Sequence, residues 1–331
     1  MARQTVASAA MASAAAEDSF TAELAAIGGQ PTTSRADAYT DLYRRTVDVT
    51  EDELTAPALE RLTGIYLDAA AFADVNSTGG GLVVGRSVLA SFHNLLAEAG
   101  QRSRAAGAEG GSGKDGDDAI MGGDSSGGGG GVQRRRAIDD TDTRISLIDD
   151  ALERLQPKIL SFEEQATQLR ILLSSILEDE HDWVRAAKAL QGIPLDGSSG
   201  QRSVSDLFRL RTYMRIVRLL LEGDDPVQAD VYLKRASLLI HSVPGASSRS
   251  FGTLDMSDAA AVAEASSASA SKPAEQVTKE AIQEGRELSL HFQLCQARIY
   301  DSQKRFAEAA MRFHKLSYVA EIDPSDREQM L

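Results

Sequence analysis

Cysteine is almost missing from this chain. Cys295 is the one thiol in 331 residues, so no disulfide can close within it and a disulfide-stapled secreted scaffold is excluded. A reducing compartment is expected, with the cytoplasm and nucleus as locations. Aromatics are scarce too, at 5%, while Ala and Leu are prominent. That balance disfavours a sandwich of β-branched strands and favours close-packed helices. Positive charge is in deficit: a formal net charge of −14 leaves few cations to displace counterions from a phosphate backbone, so no nucleic-acid partner is expected. The basic run Arg134-Arg135-Arg136 is short, adjoins a glycine-rich stretch and reads as a solvated tether. No stretch approaches the roughly 20 apolar residues of a spanning helix, and no membrane partner is expected. Residues 1–17 carry only Arg3 and a weak apolar run, too little for a secretory or transit signal, and read as a disordered leader.

Spacings that support catalysis are also missing. His93, His181, His241, His291 and His314 are scattered, with no His-x-His or His-Glu-x-x-His pair to bring two imidazoles to one metal. Glu178, Asp179, Glu180 and Asp182 cluster at a helix end, where water on all sides gives no burial to split their pKa values; they read as a solvated acidic patch. Gly127–Gly131 is followed by no Lys-Ser/Thr and is not a phosphate loop. Cys295 shares the helical spacing of Leu288, Phe292 and Ile299 and reads as a small core residue. The residues thus predict no catalytic site, no metal site and no cofactor.

What is present is helical periodicity, interrupted twice. Residues 100–136 are dominated by Gly, Ser and Asp and cannot bury enough apolar surface to offset backbone ordering, so they are expected to be disordered. The Ser/Ala tract within Pro244–Lys272 is expected to be a second disordered insertion, taken with its flanks as 243–284. Helical register resumes after each. The expected helices before the first insertion cover 20–27, 36–47, 51–72 and 82–99, with Leu54, Leu59, Leu62, Ile65, Tyr66 and Ala69 forming a stripe in the third and Gly79-Gly80-Gly81 turning into the fourth. After it, 138–155 reads as a helix, with Ile145, Ile148, Leu152 and Leu155 on one face and Pro157 ending it. Ser161, with Glu164 three residues on, has the form of a capping box for the next helix, which buries Leu169, Leu172, Leu173, Ile176 and Leu177. Further helices are expected over 207–221 and 287–303. The domain plan is therefore helical repeats over 18–99 and over 137–331.

Comparing the chain with itself reveals a repeat. The segments beginning Asp182-Trp183, Asp225-Pro226 and Arg305-Phe306 align so that Trp183, Pro226 and Phe306 are equivalent, followed by Ala186, Ala229 and Ala309, then by Leu190, Leu233 and Phe313. The alanine lets a second helix approach the first closely, and the large residue one turn later locks it. Proline is suited to the first helical position, where no N–H is needed. The expected fold is all-α, a right-handed superhelix of antiparallel helix hairpins of the TPR/HEAT type with two disordered insertions. These nine residues are its packing positions.

From Pro157 onward the chain resembles a known family. Pro157-Lys158-Ile159-Leu160-Ser161-Phe162-Glu163-Glu164-Gln165, Asp182-Trp183 with Ala186-Ala187, Gly192-Ile193-Pro194-Leu195, Asp224-Asp225-Pro226-Val227-Gln228-Ala229, Lys234-Arg235-Ala236-Ser237-Leu238-Leu239, Ala297-Arg298 and Phe306-Ala307-Glu308-Ala309-Ala310 are similar, in order and spacing, to the helical repeats of the subunit-four family of the COP-nine signalosome. The resemblance implies a non-catalytic scaffold in a hetero-oligomer with other PCI- and MPN-type subunits. That complex removes Nedd8 from cullin-RING ligases through a zinc isopeptidase on another subunit, and the helical arm extends towards the neddylated ligase. The family's carboxy-terminal PCI winged helix has no counterpart before Leu331, so a fragment or a truncated gene product is expected.

Overall fold

The computed structural model describes residues 17–49, 54–73, 80–110, 136–195, 204–246 and 279–319, side chains at 106–110 and 279–280 excepted. Among these residues all regular structure is helical. In chain order the helices are α1 (17–28), α2 (Thr32–Val47), α3 (Ala56–Tyr66, continued by a π-helical turn over Leu67–Phe72), α4 (Gly81–Gly110), α5 (Thr141–Leu155), α6 (Glu163–Asp179), α7 (Trp183–Gln191), α8 (Asp206–Glu222), α9 (Pro226–Leu239), α10 (Lys279–Ser302) and α11 (Phe306–Ser317). Residues 1–16, most of the glycine-rich segment and the Ser/Ala tract lie outside the described residues, as does the end of the chain from 320. The helices fall into two compact units, Met1–Ile176 and Leu177–Leu331, with the division inside α6.

In the first unit α2, α3 and α4 meet around aromatic rings. Tyr43 stacks on Tyr66 with centroids 4.4 Å apart, and Phe92 lies 5.8 Å from Tyr43. All three are fully buried, and the Tyr43 hydroxyl hydrogen-bonds Thr63 Oγ1 at 2.9 Å. Burial pushes both tyrosine hydroxyls well above their ordinary pKa. The stripe read from the sequence holds through Leu59, Leu62 and Tyr66, and the π turn then shifts the phase, so that Leu67, Ala70, Ala71 and Phe72 are buried. A π turn inserts a residue into the hydrogen-bond ladder, an event no 3.6-residue pattern signals.

The helices on either side of the glycine-rich segment belong to one compact unit. α3 packs against α5, and both α3 and α4 pack against the short 3-10 turn Ala137–Asp139 ahead of it. The Arg154 guanidinium bridges Asp150 on its own helix and Asp68 on the π turn, bonds that raise its pKa. Lys158 donates to the Phe72 carbonyl at 2.9 Å with its ammonium over the Phe72 ring, placing a cation at a helix C-terminus. Arg86 donates through two nitrogens to the Ser161 carbonyl. Arg136 pairs with Asp48, so it is a structural ion-pair partner and no tether; Arg134 and Arg135 lie outside the described residues.

Three boundaries are corrected. α4 runs on to Gly110, past the expected stop at 99; Gly100 is buried beside the Arg144 side chain of α5, and Arg102 reaches Asp139 at 3.9 Å. α5 starts at Thr141, capped by Asp140, whose side chain accepts from the Thr143 N–H. Ser161 does not cap α6: the position ahead of Glu163 is Phe162, fully buried and edge-on to Phe72 at 5.8 Å, its carbonyl accepting from Ala166.

Candidate functional site

The second unit is organised around three turns of one geometry. Each ends a first helix with a residue in the left-handed region, His181 (φ 60°), Asp224 (φ 58°) and Lys304 (φ 65°). The N–H of the following residue reaches back five positions, from Asp182 to Leu177 O, Asp225 to Leu220 O and Arg305 to Tyr300 O, at 2.9, 2.8 and 2.9 Å. This closure satisfies carbonyls that a helix end leaves bare. The residue that closes one helix also opens the next. Asp182 accepts from the Arg185 N–H at 3.1 Å and Asp225 from the Gln228 N–H at 3.0 Å. Arg305 makes no such cap and instead lies 4.3 Å over the Tyr300 ring and pairs with Glu308.

Trp183, Pro226 and Phe306 thereby begin α7, α9 and α11. The small residues Ala186, Ala229 and Ala309 are buried, as are Leu190 and Leu233. Phe313 and Pro226 are half-buried; Trp183 is also half-buried, its ring 5.2 Å from that of His181. Phe306 is 58% exposed, so the repeat's aromatic position does not serve packing in the third turn. α9 packs on α8 and α11 on α10, while α7 packs on α8 and α10 touches both α8 and α9. Ion pairs run between these helices: Glu178 accepts from Arg215 at 2.7 Å and Arg218 at 3.0 Å, Glu222 from Arg298 at 2.8 Å, and Glu284 pairs with Arg211. Glu178, only 17% exposed in its side chain, is therefore a bridging residue and not part of a solvated patch.

Sequence reasoning missed the left-handed residues, since none is glycine; His181 and Asp224 are of types enriched there, and Lys304 is not. It also set the second insertion too wide. The turn at 243–246 is packed, with Val243 and Ala246 buried, and α10 begins at Lys279, eight residues ahead of the expected start. Gly245 (φ 79°) and Gly285 let these two segments touch: a Cβ on Gly245 would overlap the Ile282 carbonyl, and one on Gly285 the Pro244 carbonyl.

The groups with chemical capacity are dispersed. No three His, Cys, Asp or Glu side chains converge as metal ligands among the described residues, and no described helix is long and apolar enough to cross a membrane. His93 contacts Asn94 and His314 contacts Tyr318. Cys295 is buried on α10, where burial pushes its thiol up to about 11, away from the thiolate a nucleophile requires. This unit is built to hold helices in register.

Residues 131–248, spanning α5 to α9, match the family described as PSMD12/CSN4, N-terminal. This region is similar to COP9 signalosome subunit 4 proteins. A protein of Emericella nidulans named COP9 signalosome complex subunit 4 is 34% identical over 191 residues, 58% of this chain and 36% of that relative. Relatives of the same name from Arabidopsis thaliana and Drosophila melanogaster are 30% identical over 189 residues and 32% over 176. Those alignments take in 57% and 53% of this chain, and 37% and 33% of the relatives. The matched region thus spans about a third of the curated relatives' length. The resemblance read from Pro157 onward is therefore upheld.

Proposed function

We propose that this chain acts as a non-catalytic scaffold subunit of the COP9 signalosome, its helical pairs stacked as a right-handed superhelix of antiparallel hairpins. The reading rests on one coincidence: the region similar to subunit 4 proteins contains two of the three equivalent turns, at His181 and Asp224, so likeness and architecture fall on the same residues. In this role the helices hold neighbouring PCI- and MPN-type subunits in a hetero-oligomer. They contribute to contact with neddylated cullin-RING ligases while another subunit removes the modifier, in cytoplasm and nucleus.

The test is purification of the tagged chain from its own cells. Stoichiometric recovery with the other signalosome subunits is expected, in cytoplasmic and nuclear fractions alike. Recovery of the chain alone overturns the proposal. The family description joins CSN4 with PSMD12, which favours one second reading, a non-catalytic PCI subunit of the proteasome lid. Co-purification with lid subunits selects it. Isopeptidase activity of the pure chain that a chelator abolishes would overturn the non-catalytic assignment.

A further inference from the structure

In the second unit every large apolar side chain described as exposed belongs to the second helix of a pair or its C-cap; α8 and α10 have none. Isolated exposed apolar residues need no explanation, but these recur in register. Counted from Asp225 and Arg305, the residues that open the second helices, positions six and thirteen are Val231 and Leu238 after the first and Met311 and Tyr318 after the second. They are 48%, 80%, 60% and 76% exposed. Positions nine and ten are Lys234 and Arg235, then His314 and Lys315, all exposed.

At about 100° per residue these positions share one side of the helix. The opposite side carries positions four, eight and eleven: Ala229, Leu233 and Ala236 on α9, and Ala309, Phe313 and Leu316 on α11, the side packed into the unit. The outer pattern, apolar at six and thirteen with Lys-Arg or His-Lys between, therefore adds nothing to the core, yet it appears twice, on two helices that both pack against α10. Lys234 stays 74% exposed in its side chain although it pairs with Asp230, so its charge remains available.

We propose that this face of α9 and α11 docks an amphipathic helix of another protein whose apolar stripe is flanked by Asp and Glu. Charge decides the occupant. The row carries Lys234, Arg235 and Lys315 on a chain of net charge −14; Asp230 beside it is paired with Lys234, and a narrow acidic helix can lie along the row without covering the wider acidic surface. An anionic membrane would meet that surface broadly and be repelled, and the row has fewer cations than lipid recognition by basic clusters requires. A second copy seated by two-fold symmetry would set basic row against basic row. The proposal stands whichever assembly the chain joins.

The experiment uses the full chain and a fluorescent synthetic helical peptide with Leu at three- and four-residue spacing and Glu on the flanks, beside a counterpart with Lys for Glu. Anisotropy should show saturable binding of the acidic peptide and none of the basic one. Affinity should fall roughly tenfold or more in L238S/Y318S and in K234E/K315E, and K234E/K315E should gain the basic peptide. All four residues are exposed, so circular dichroism should show both variants folded. No saturable binding, equal binding of the two peptides, or binding indifferent to the variants overturns the proposal. So do self-association lost in L238S/Y318S, the sign of a second copy, and capture by phosphatidylserine vesicles without peptide binding.

Discussion

Lys304 holds a φ of 65° in the turn between α10 and α11 with no glycine's freedom to do so. A side chain in the left-handed region crowds its own backbone, and glycine there escapes that cost at some loss of unfolded-chain restriction. Lys304→Gly should raise unfolding stability by about 0.5–1 kcal/mol in urea titration, and Lys304→Val should lower it. Cys295 gives a prediction in pH. Its folded value near 11 lies above the ordinary thiol value of 9.0, so the unfolded chain releases this proton first. The stabilising contribution is complete below pH 9 and is lost as pH rises through 11. Thermal midpoints should fall across that window, and less steeply in Cys295→Ala. At this scale much was legible: Cys295 was read as core from its spacing, and the alanines from their register. Glu178 was not, because Arg215 and Arg218 come from a helix 37 and 40 residues away.

Among elements, the 243–246 turn and the first part of α10 approach closely through Gly245 and Gly285. In an exposed helix interior Gly→Ala stabilises by ~1 kcal/mol through propensity, but a Cβ on Gly285 overlaps the Pro244 carbonyl. Steric cost wins because backbone must move. Gly285→Ala should destabilise by about 1–3 kcal/mol, read by chemical denaturation. Gly223→Ala is the contrast: its Cβ would lie 3.1 Å from a Val184 methyl carbon, which a small side-chain shift relieves, so a smaller loss is expected. The sequence placed most helices but misjudged their ends. α4 and α10 extend beyond their expected limits; Gly100 and Gly285 are buried where the two helices run on, and such contacts leave no mark in a one-dimensional pattern. The capping box at Ser161 failed for a related reason: burial of Phe162 between elements moved the helix start.

For the molecule as a whole, the decisive finding concerns what spans the glycine-rich segment. Arg136 to Asp48, Arg154 to Asp68, Lys158 to the Phe72 carbonyl and Arg86 to Ser161 all connect residues before it to residues after it. The joined ends are held by the folded body, so the length between them enters chiefly as loop-closure entropy, which changes by only ~0.6 kcal/mol per doubling. Replacing residues 111–135 with a Gly-Ser linker of about ten residues should shift the unfolding free energy by roughly 1 kcal/mol or less. A large loss of cooperativity would count against one body. The sequence by itself determined the helical class, the three equivalent segments and the likeness to subunit 4 proteins, because period, small-residue spacing and motif order are properties of the chain read along its length. Only the tertiary structure decided which residues of the amino-terminal helices meet α5, that His181, Asp224 and Lys304 close the turns, and that apolar and basic residues recur on the outer side of α9 and α11. Each depends on which faces meet and which remain uncovered, and that is settled by packing in three dimensions.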